Sequence, residues 1–456
     1  MQSSTRRSFI GAAAGAAGGL AAGNARIAFA TQPGRENRSL DIPDLDFLRH
    51  ERLVHEPRAR QLLREQGYDG YIATRGQNVL YLSNHLPLLS RMSDLGGAMA
   101  VFSATEGLPL GMVLGQFSYY YTYQEANLRL GHQHYLYTSP DPESDGPAAA
   151  RMFRVIDHDD MDPIERRRRA AVAAAGPMHA DARRALRAAL TELVGNRARL
   201  ATDDPELVET INSLSPHYDC SLDADILRAI RLVKSPAELE LMSLASKQNI
   251  AAATEAAARL RDHWSLRHFR QDFYTEAARH GNTPVFMVID GVAVDTFDAP
   301  IREGRGILID CVSALHGYHG DYGRTVLIGE GSRRLESTVS AVRDAWDEVL
   351  EALKPGMSFS QIRQLGREAL ANRGHDLTVS FNPHSVGLHH TDQPRTARYR
   401  HAANNDITLL EDMILSVDCP VMDTGIGGTV HFEDLVHVSE RGATPIHDSP
   451  DALIRV

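Results

Sequence analysis

Two apolar runs in this chain each close on an aspartate: Gly306-Ile307-Leu308-Ile309-Asp310 and Met413-Ile414-Leu415-Ser416-Val417-Asp418. Runs of this length and composition read as buried strands. An unpartnered carboxylate on a buried strand is costly, so a fold that holds both must supply partners such as a cation. Three more segments carry metal-ligand residue types. Asp321 follows Asp310 by eleven residues within Gly317-Tyr318-His319-Gly320-Asp321-Tyr322-Gly323-Arg324-Thr325, so two short strands joined by a turn bring both carboxylates to one point. His384 lies in Asn382-Pro383-His384-Ser385-Val386-Gly387-Leu388, and Glu433 interrupts the apolar run Val430-His431-Phe432-Glu433-Asp434-Leu435-Val436. Singly, each acid reads as a strand end facing water. As an ordered set, four carboxylates and one imidazole suit Mn²⁺, Fe²⁺, Co²⁺ or Zn²⁺, and a pair of such ions where carboxylates bridge. Two ions a few ångströms apart hold a hydroxide and polarise a carbonyl.

The 456 residues are about three times a typical domain length, which predicts two domains. A hydrophobic fraction of 43% excludes a largely disordered chain, and a net charge of −11 argues against a nucleic-acid partner, which needs a basic face. The basic run Arg166–Arg169 follows a stretch of aspartates and reads as a solvated helix start. Three cysteines are too few for a disulfide scaffold. At the N-terminus, Arg6-Arg7 precedes a weak Ala/Gly-rich apolar stretch, and Ala28-Phe29-Ala30 supplies a small-x-small cleavage pattern. The set resembles a twin-arginine export signal cleaved after Ala30, which predicts a periplasmic mature protein with no membrane anchor.

Residues 31–45 read as a polar tail, and 46–222 as an α/β domain in which helices and strands alternate. The periodicity predicts a helix from Phe47 to Gln66 stopped by Gly67, a strand at Leu108–Leu114 and a helix at Arg183–Leu193. Residues 223–456 form the second domain. It opens on a helical stretch interrupted at Ser235-Pro236, with Ser235 as N-cap and Glu238 as its capping-box partner, and has further helices near 266–280 and 333–352.

On these residues, positions 225–445 resemble the pita-bread metallohydrolases, the group that includes methionine aminopeptidase, aminopeptidase P, prolidase and creatinase. Supporting matches are Arg231-Leu232-Val233-Lys234-Ser235-Pro236, Leu353-Lys354-Pro355-Gly356, Asp321-x-x-Arg324-Thr325 and Glu433-Asp434; Gly67-Tyr68-Asp69-Gly70 and Asn78-x-x-Tyr81-Leu82 resemble the creatinase/prolidase N-terminal domain. The resemblance implies an α/β N-terminal domain, an α+β pita-bread catalytic domain, and a homodimer. It also implies a divalent metal, as two ions, on Asp310, Asp321, His384, Asp418 and Glu433.

The chain departs from that pattern. Asp418 stands where the family has Glu, and histidines of the Xaa-Pro peptidases are replaced by Thr391, by Ser380 and, fifteen residues before the first ligand, by Asp295. His389 or His390 substitutes for the histidine at 391 if the chain shifts locally, and Asp392 matches the acid that follows it. His316, His319 and His431 lie close to ligand positions. His319 would share a strand face with Asp321 and either back the ligands or face solvent. Cys311 and Cys419 each follow a ligand directly, so alternation turns them away from the metal into a common layer, as free thiols or a disulfide. The implied activity is hydrolysis of a small amide or short peptide, with Asp418 or Asp392 handling the proton. The alternatives are a metal-dependent lyase that uses Asp295 or Asp392 as its base, and an inactive binding protein.

Overall fold

The computed structural model describes residues 40–456 except 93–96, 126–129, 139–154, 177, 263–264, 401–405, 448 and 450. The predicted export signal lies outside the described residues.

The first half is built on a seven-stranded sheet of β1 (Gly70–Ala73), β2 (Ala98–Ser103), β3 (Gly111–Gly115), β4 (Gln133–Tyr137), β5 (Met178–His179), β6 (Ala198–Thr202) and β7 (Tyr218–Leu222), in the order β5-β4-β3-β2-β1-β6-β7. Its helices are α1 (Glu56–Glu65), α2 (Gly76–Ser83), α3 (Gln116–Glu125), α4 (Pro163–Ala174), α5 (Ala182–Leu193) and α6 (Pro205–Leu214). The helix expected from Phe47 onward does not start there. A short 3₁₀ turn covers Asp46–Arg49, and α1 begins only at Glu56, capped by the His55 ring. Pro57 is the reason: it is tolerated in a first turn but not in a helix interior. The basic run Arg166–Arg169 sits on α4, which Asp162 and Glu165 open with a capping box.

In the second half α7 (Ile226–Arg231) leads to α8 (Pro236–Ala258), with the reciprocal Ser235–Glu238 capping box in place. Next come α9 (Leu266–Arg279), the antiparallel strands β8 (Thr283–Ile289), β9 (Gly306–Leu315) and β10 (Tyr318–Leu327), and the helices α10 (Arg333–Ala352) and α11 (Phe359–Asn372). The chain closes with β11 (Asn382–Ser385), β12 (Met413–Asp418), β13 (Glu433–Asp434), β14 (Val436–Ser439), β15 (Gly442–Pro445) and β16 (Leu453–Arg455). One sheet runs β13-β10-β9-β8 with β16 on β10, and another runs β11-β12-β14-β15. Helix α11 has no counterpart in the sequence reading, although Ser358 and Gln361 form a capping box at its start.

The helix α8 lies unusually close to β10: a Cβ at Gly320 would fall 2.7 Å from the Ala245 carbonyl oxygen, so only glycine fits there. Buried apolar contacts run across the two halves, joining Leu62, Tyr81 and Leu82 to Ile226, Ile230, Leu241 and Met242. Cys311 and Cys419 are buried free thiols, but in different apolar layers, Cys311 with Phe269 and Met287 and Cys419 with Trp346 and Val417. The expected common layer is therefore absent, because β9 and β12 belong to separate sheets. Among the described residues no helix is long and apolar enough to cross a membrane.

Candidate metal centre

Strand register assembles the site. His316 and Gly317 both take positive φ, giving the tight turn between β9 and β10. In the resulting ladder Asp310 faces Gly323, and Val312 faces Asp321. Side chains two residues apart share a sheet face, so Asp310 and Asp321 are diagonal neighbours. On the other edge of β10, Gly323 pairs with Glu433, which puts Asp310, Gly323 and Glu433 in one row across three strands. The second sheet contributes its own pair: His384 faces Ser416, and Asn382 faces Asp418.

The row and the pair meet. His384 Nε2 lies 3.1 Å from Asp418 Oδ1, 3.6 Å from Asp321 Oδ2 and 3.8 Å from Glu433 Oε1. Ser416 donates its hydroxyl to Glu433 Oε1, while Glu433 Oε2 lies 2.9 Å from His431 Nε2. Glu433 is thus common to two groups that could each hold an ion, one with His384 and Asp418 and one with Asp310 and His431, and it turns Oε1 towards His384 and Oε2 towards His431. Arg324 fixes the backbone that carries Glu433, donating to the Glu433 backbone carbonyl at 2.7 Å and to Asp434 Oδ1 at 2.7 Å. All five predicted ligands are brought together.

Their chemistry fits a divalent cation. Among the described residues the ion-pair partners of Asp321, Asp418 and Glu433 are imidazoles, not lysine or arginine. Asp310 Oδ1, both oxygens of Asp321 and His384 Nδ1 are buried without hydrogen bonds. Buried polar atoms in a native fold normally have partners. Burial, with Glu433 and Asp321 alongside, pushes the Asp310 carboxyl well above its ordinary range; burial and Glu433 do the same to Asp321. Burial opposes a charge on His431, yet the Glu433 carboxylate raises it to about 9. Carboxylates crowded in this way call for a multivalent positive charge.

The other candidate catalytic residues divide. His390 joins the site, its Nε2 3.1 Å from Asp321 Oδ2 and its ring against His384 (4.6 Å) and Phe286 (5.2 Å). It follows a turn in which the Gly387 amide donates to the His389 carbonyl at 3.1 Å. Asp392 does not join. It is fully buried and its two oxygens accept from Arg231 Nε and Nη2, both at 2.8 Å, so it is a structural anion and not a proton shuttle. Asp295 does not join either: its side chain is 61% exposed and pairs with Arg270. His319 is not solvent-facing; it is buried and pairs through Nδ1 with the Gly387 carbonyl at 3.0 Å, steadying the turn that carries His390. His431 is the residue whose position the sequence understated. Its i, i+2 relation to Glu433 in an extended segment was the available signal.

The fold is an α/β N-terminal domain followed by a pita-bread domain, as in the solved structures it superposes on. Residues 220–440, which carry all five candidate ligands, match the family model of metallopeptidase family M24. A probable dipeptidase PepE of Mycobacterium tuberculosis is 28% identical over 248 residues, which are 52% of this chain and 64% of that protein. The Xaa-Pro dipeptidase of Pyrococcus furiosus is 25% identical over 268 residues, 56% of this chain and 73% of that one. Among solved structures, the Xaa-Pro dipeptidase from Bacillus anthracis superposes with a TM-score of 0.62 at 17% identity, covering 88% of this chain and 99% of its own. The X-Pro aminopeptidase from Thermotoga maritima gives 0.61 at 16% identity, with coverage of 88% and 99%.

Proposed function

We propose that this chain is a metal-dependent hydrolase of a small amide, with dipeptides as the substrate class. The observation that carries this reading is the convergence of Asp310, Asp321, His384, Asp418 and Glu433 with Glu433 shared between two ligand groups. Divalent ions held there supply Lewis-acid polarisation of the scissile carbonyl and a water nucleophile at neutral pH. His390, partly exposed beside Asp321, is placed to hydrogen-bond the substrate carbonyl. Asp418, its side chain 27% exposed and 3.1 Å from His384, is the carboxylate placed to carry the proton to the leaving amine. The dipeptidases among the relatives support the substrate class. The lyase reading loses its two candidate bases, since Asp295 and Asp392 are both held by arginines.

The test strips the purified protein of metal, reloads it with Mn²⁺, Co²⁺ or Zn²⁺, and supplies Xaa-Pro dipeptides, other dipeptides, N-acyl amines and sulfonium compounds in H₂¹⁸O. We expect metal-dependent cleavage of a dipeptide with ¹⁸O in the released carboxylate. Turnover that leaves the product unlabelled would make the enzyme a lyase.

We also propose twin-arginine export to the periplasm, supported by Arg6-Arg7 and the Ala28-Phe29-Ala30 pattern. Replacing both arginines by lysine should leave the full-length precursor in the cytoplasmic fraction; unchanged export would refute it.

A further inference from the structure

Gly323 occupies the centre of the row between Asp310 and Glu433, and its missing side chain is filled by a neighbour. A Cβ at that position would lie 2.3 Å from both Cδ2 and Nε2 of His431. The imidazole therefore lies across the strand, over the position from which the two flanking carboxylates rise. It is held there firmly. Thr325 Oγ1 accepts from the His431 amide at 3.0 Å and donates to its carbonyl at 3.2 Å. Next along the chain, Phe432 is locked between Trp346 and Arg324. The ring is 3% exposed. One ligand atom each from Asp310, His431 and Glu433 fall within 4.8 Å of one another, and Asp310 Oδ1 is buried without a hydrogen bond. A histidine serving only as a donor to Glu433 needs neither the glycine cradle nor the approach to Asp310.

We propose that His431 is a metal ligand at the Asp310–Glu433 end of the centre, in addition to the five carboxylate and imidazole ligands named above. This rests on the metallohydrolase reading. It gives each end of the centre an imidazole, His384 at one and His431 at the other. Imidazole favours Zn²⁺, Co²⁺ and Fe²⁺, whereas an all-carboxylate end suits Mn²⁺. His431 thus biases this end of the centre away from Mn²⁺.

The experiment uses the full mature protein, stripped and then titrated separately with Zn²⁺, Co²⁺ and Mn²⁺, followed by calorimetry and by the visible absorption of bound Co²⁺. The variant His431→Gln keeps a donor for Glu433 but removes the imidazole. It should bind one Zn²⁺ at least about 10-fold more weakly, with a changed Co²⁺ spectrum and a reduced Zn²⁺-over-Mn²⁺ preference. Gly323→Ala leaves the histidine in place but drives its ring off the strand, and should give the same loss. Circular dichroism of the metal-free proteins identifies which variant is folded, and one folded variant is enough. Unchanged affinities and an unchanged Co²⁺ spectrum in a folded variant overturn the proposal while leaving the hydrolase reading intact. A wild-type protein that takes up none of the three metals overturns both.

Discussion

Glu433→Gln should lower hydrolysis by at least about 10³-fold, equivalent to roughly 4 kcal/mol of lost transition-state stabilisation. The expectation follows from how the carboxylate is shared. Glu433 belongs both to the group with His384 and Asp418 and to the group with Asp310 and His431, with Oε1 towards His384 and Oε2 towards His431. A glutamine offers one carbonyl oxygen and no charge, so it cannot serve both groups. Elemental analysis should therefore show fewer ions per chain, together with the fall in kcat. A Glu433→Gln protein with full metal content and undiminished rate would show that the carboxylate is not shared.

Three of the candidate ligands were readable because each breaks a local pattern. A carboxylate closing a run such as Gly306–Asp310 contradicts the burial its neighbours demand, and the chain repeats that contradiction at Asp418 and Glu433. The helix start at Ser235 was equally local, since the cap and its partner lie within one turn. Partnerships across the fold were not readable. Nothing near Asp392 in sequence announces Arg231, 161 residues earlier, and Asp295 gives no hint of the buried Arg270. Both acids look available for chemistry until their partners appear. The choice between His389 and His390 depended on how the 387–389 segment turns, below the precision of spacing arguments. His431 needed both the register of β10 and the missing side chain of Gly323 before its neighbourhood to Asp310 could be seen.

The Arg231–Asp392 pair carries the second large effect. Both side chains are almost wholly inaccessible, and the pair ties the halves of the chain together. Arg231 Nη1 also donates to Asn78 Oδ1 at 2.9 Å, and Asn78 donates to Asp203, just past the end of β6, at 2.7 Å. On the other side, Asp392 accepts from the Leu388 amide at 3.2 Å within the turn that delivers His390. Arg231→Met leaves a buried carboxylate with its main partner gone, and should destabilise the protein by about 3–5 kcal/mol in urea unfolding. Arg231→Met with Asp392→Leu removes both charges and should recover much of that loss, because the desolvation cost of the pair disappears with it. The pH dependence has a defined sign. Burial alone would raise the Asp392 carboxyl, but Arg231 reverses this and holds it well below the usual carboxylate range. A depressed folded-state pKa contributes stability that is complete above the unfolded value of about 3.9 and is lost as pH falls through the folded value. The unfolded value is common to both proteins, so the stability gap between wild type and Arg231→Met should shrink as pH falls below the variant's own Asp392 value, which burial without the arginine holds higher than in wild type. A gap that persists unchanged at pH 3 would mean that Arg231 stabilises the fold through its contact with Asn78 and its packing, not through the charge on Asp392.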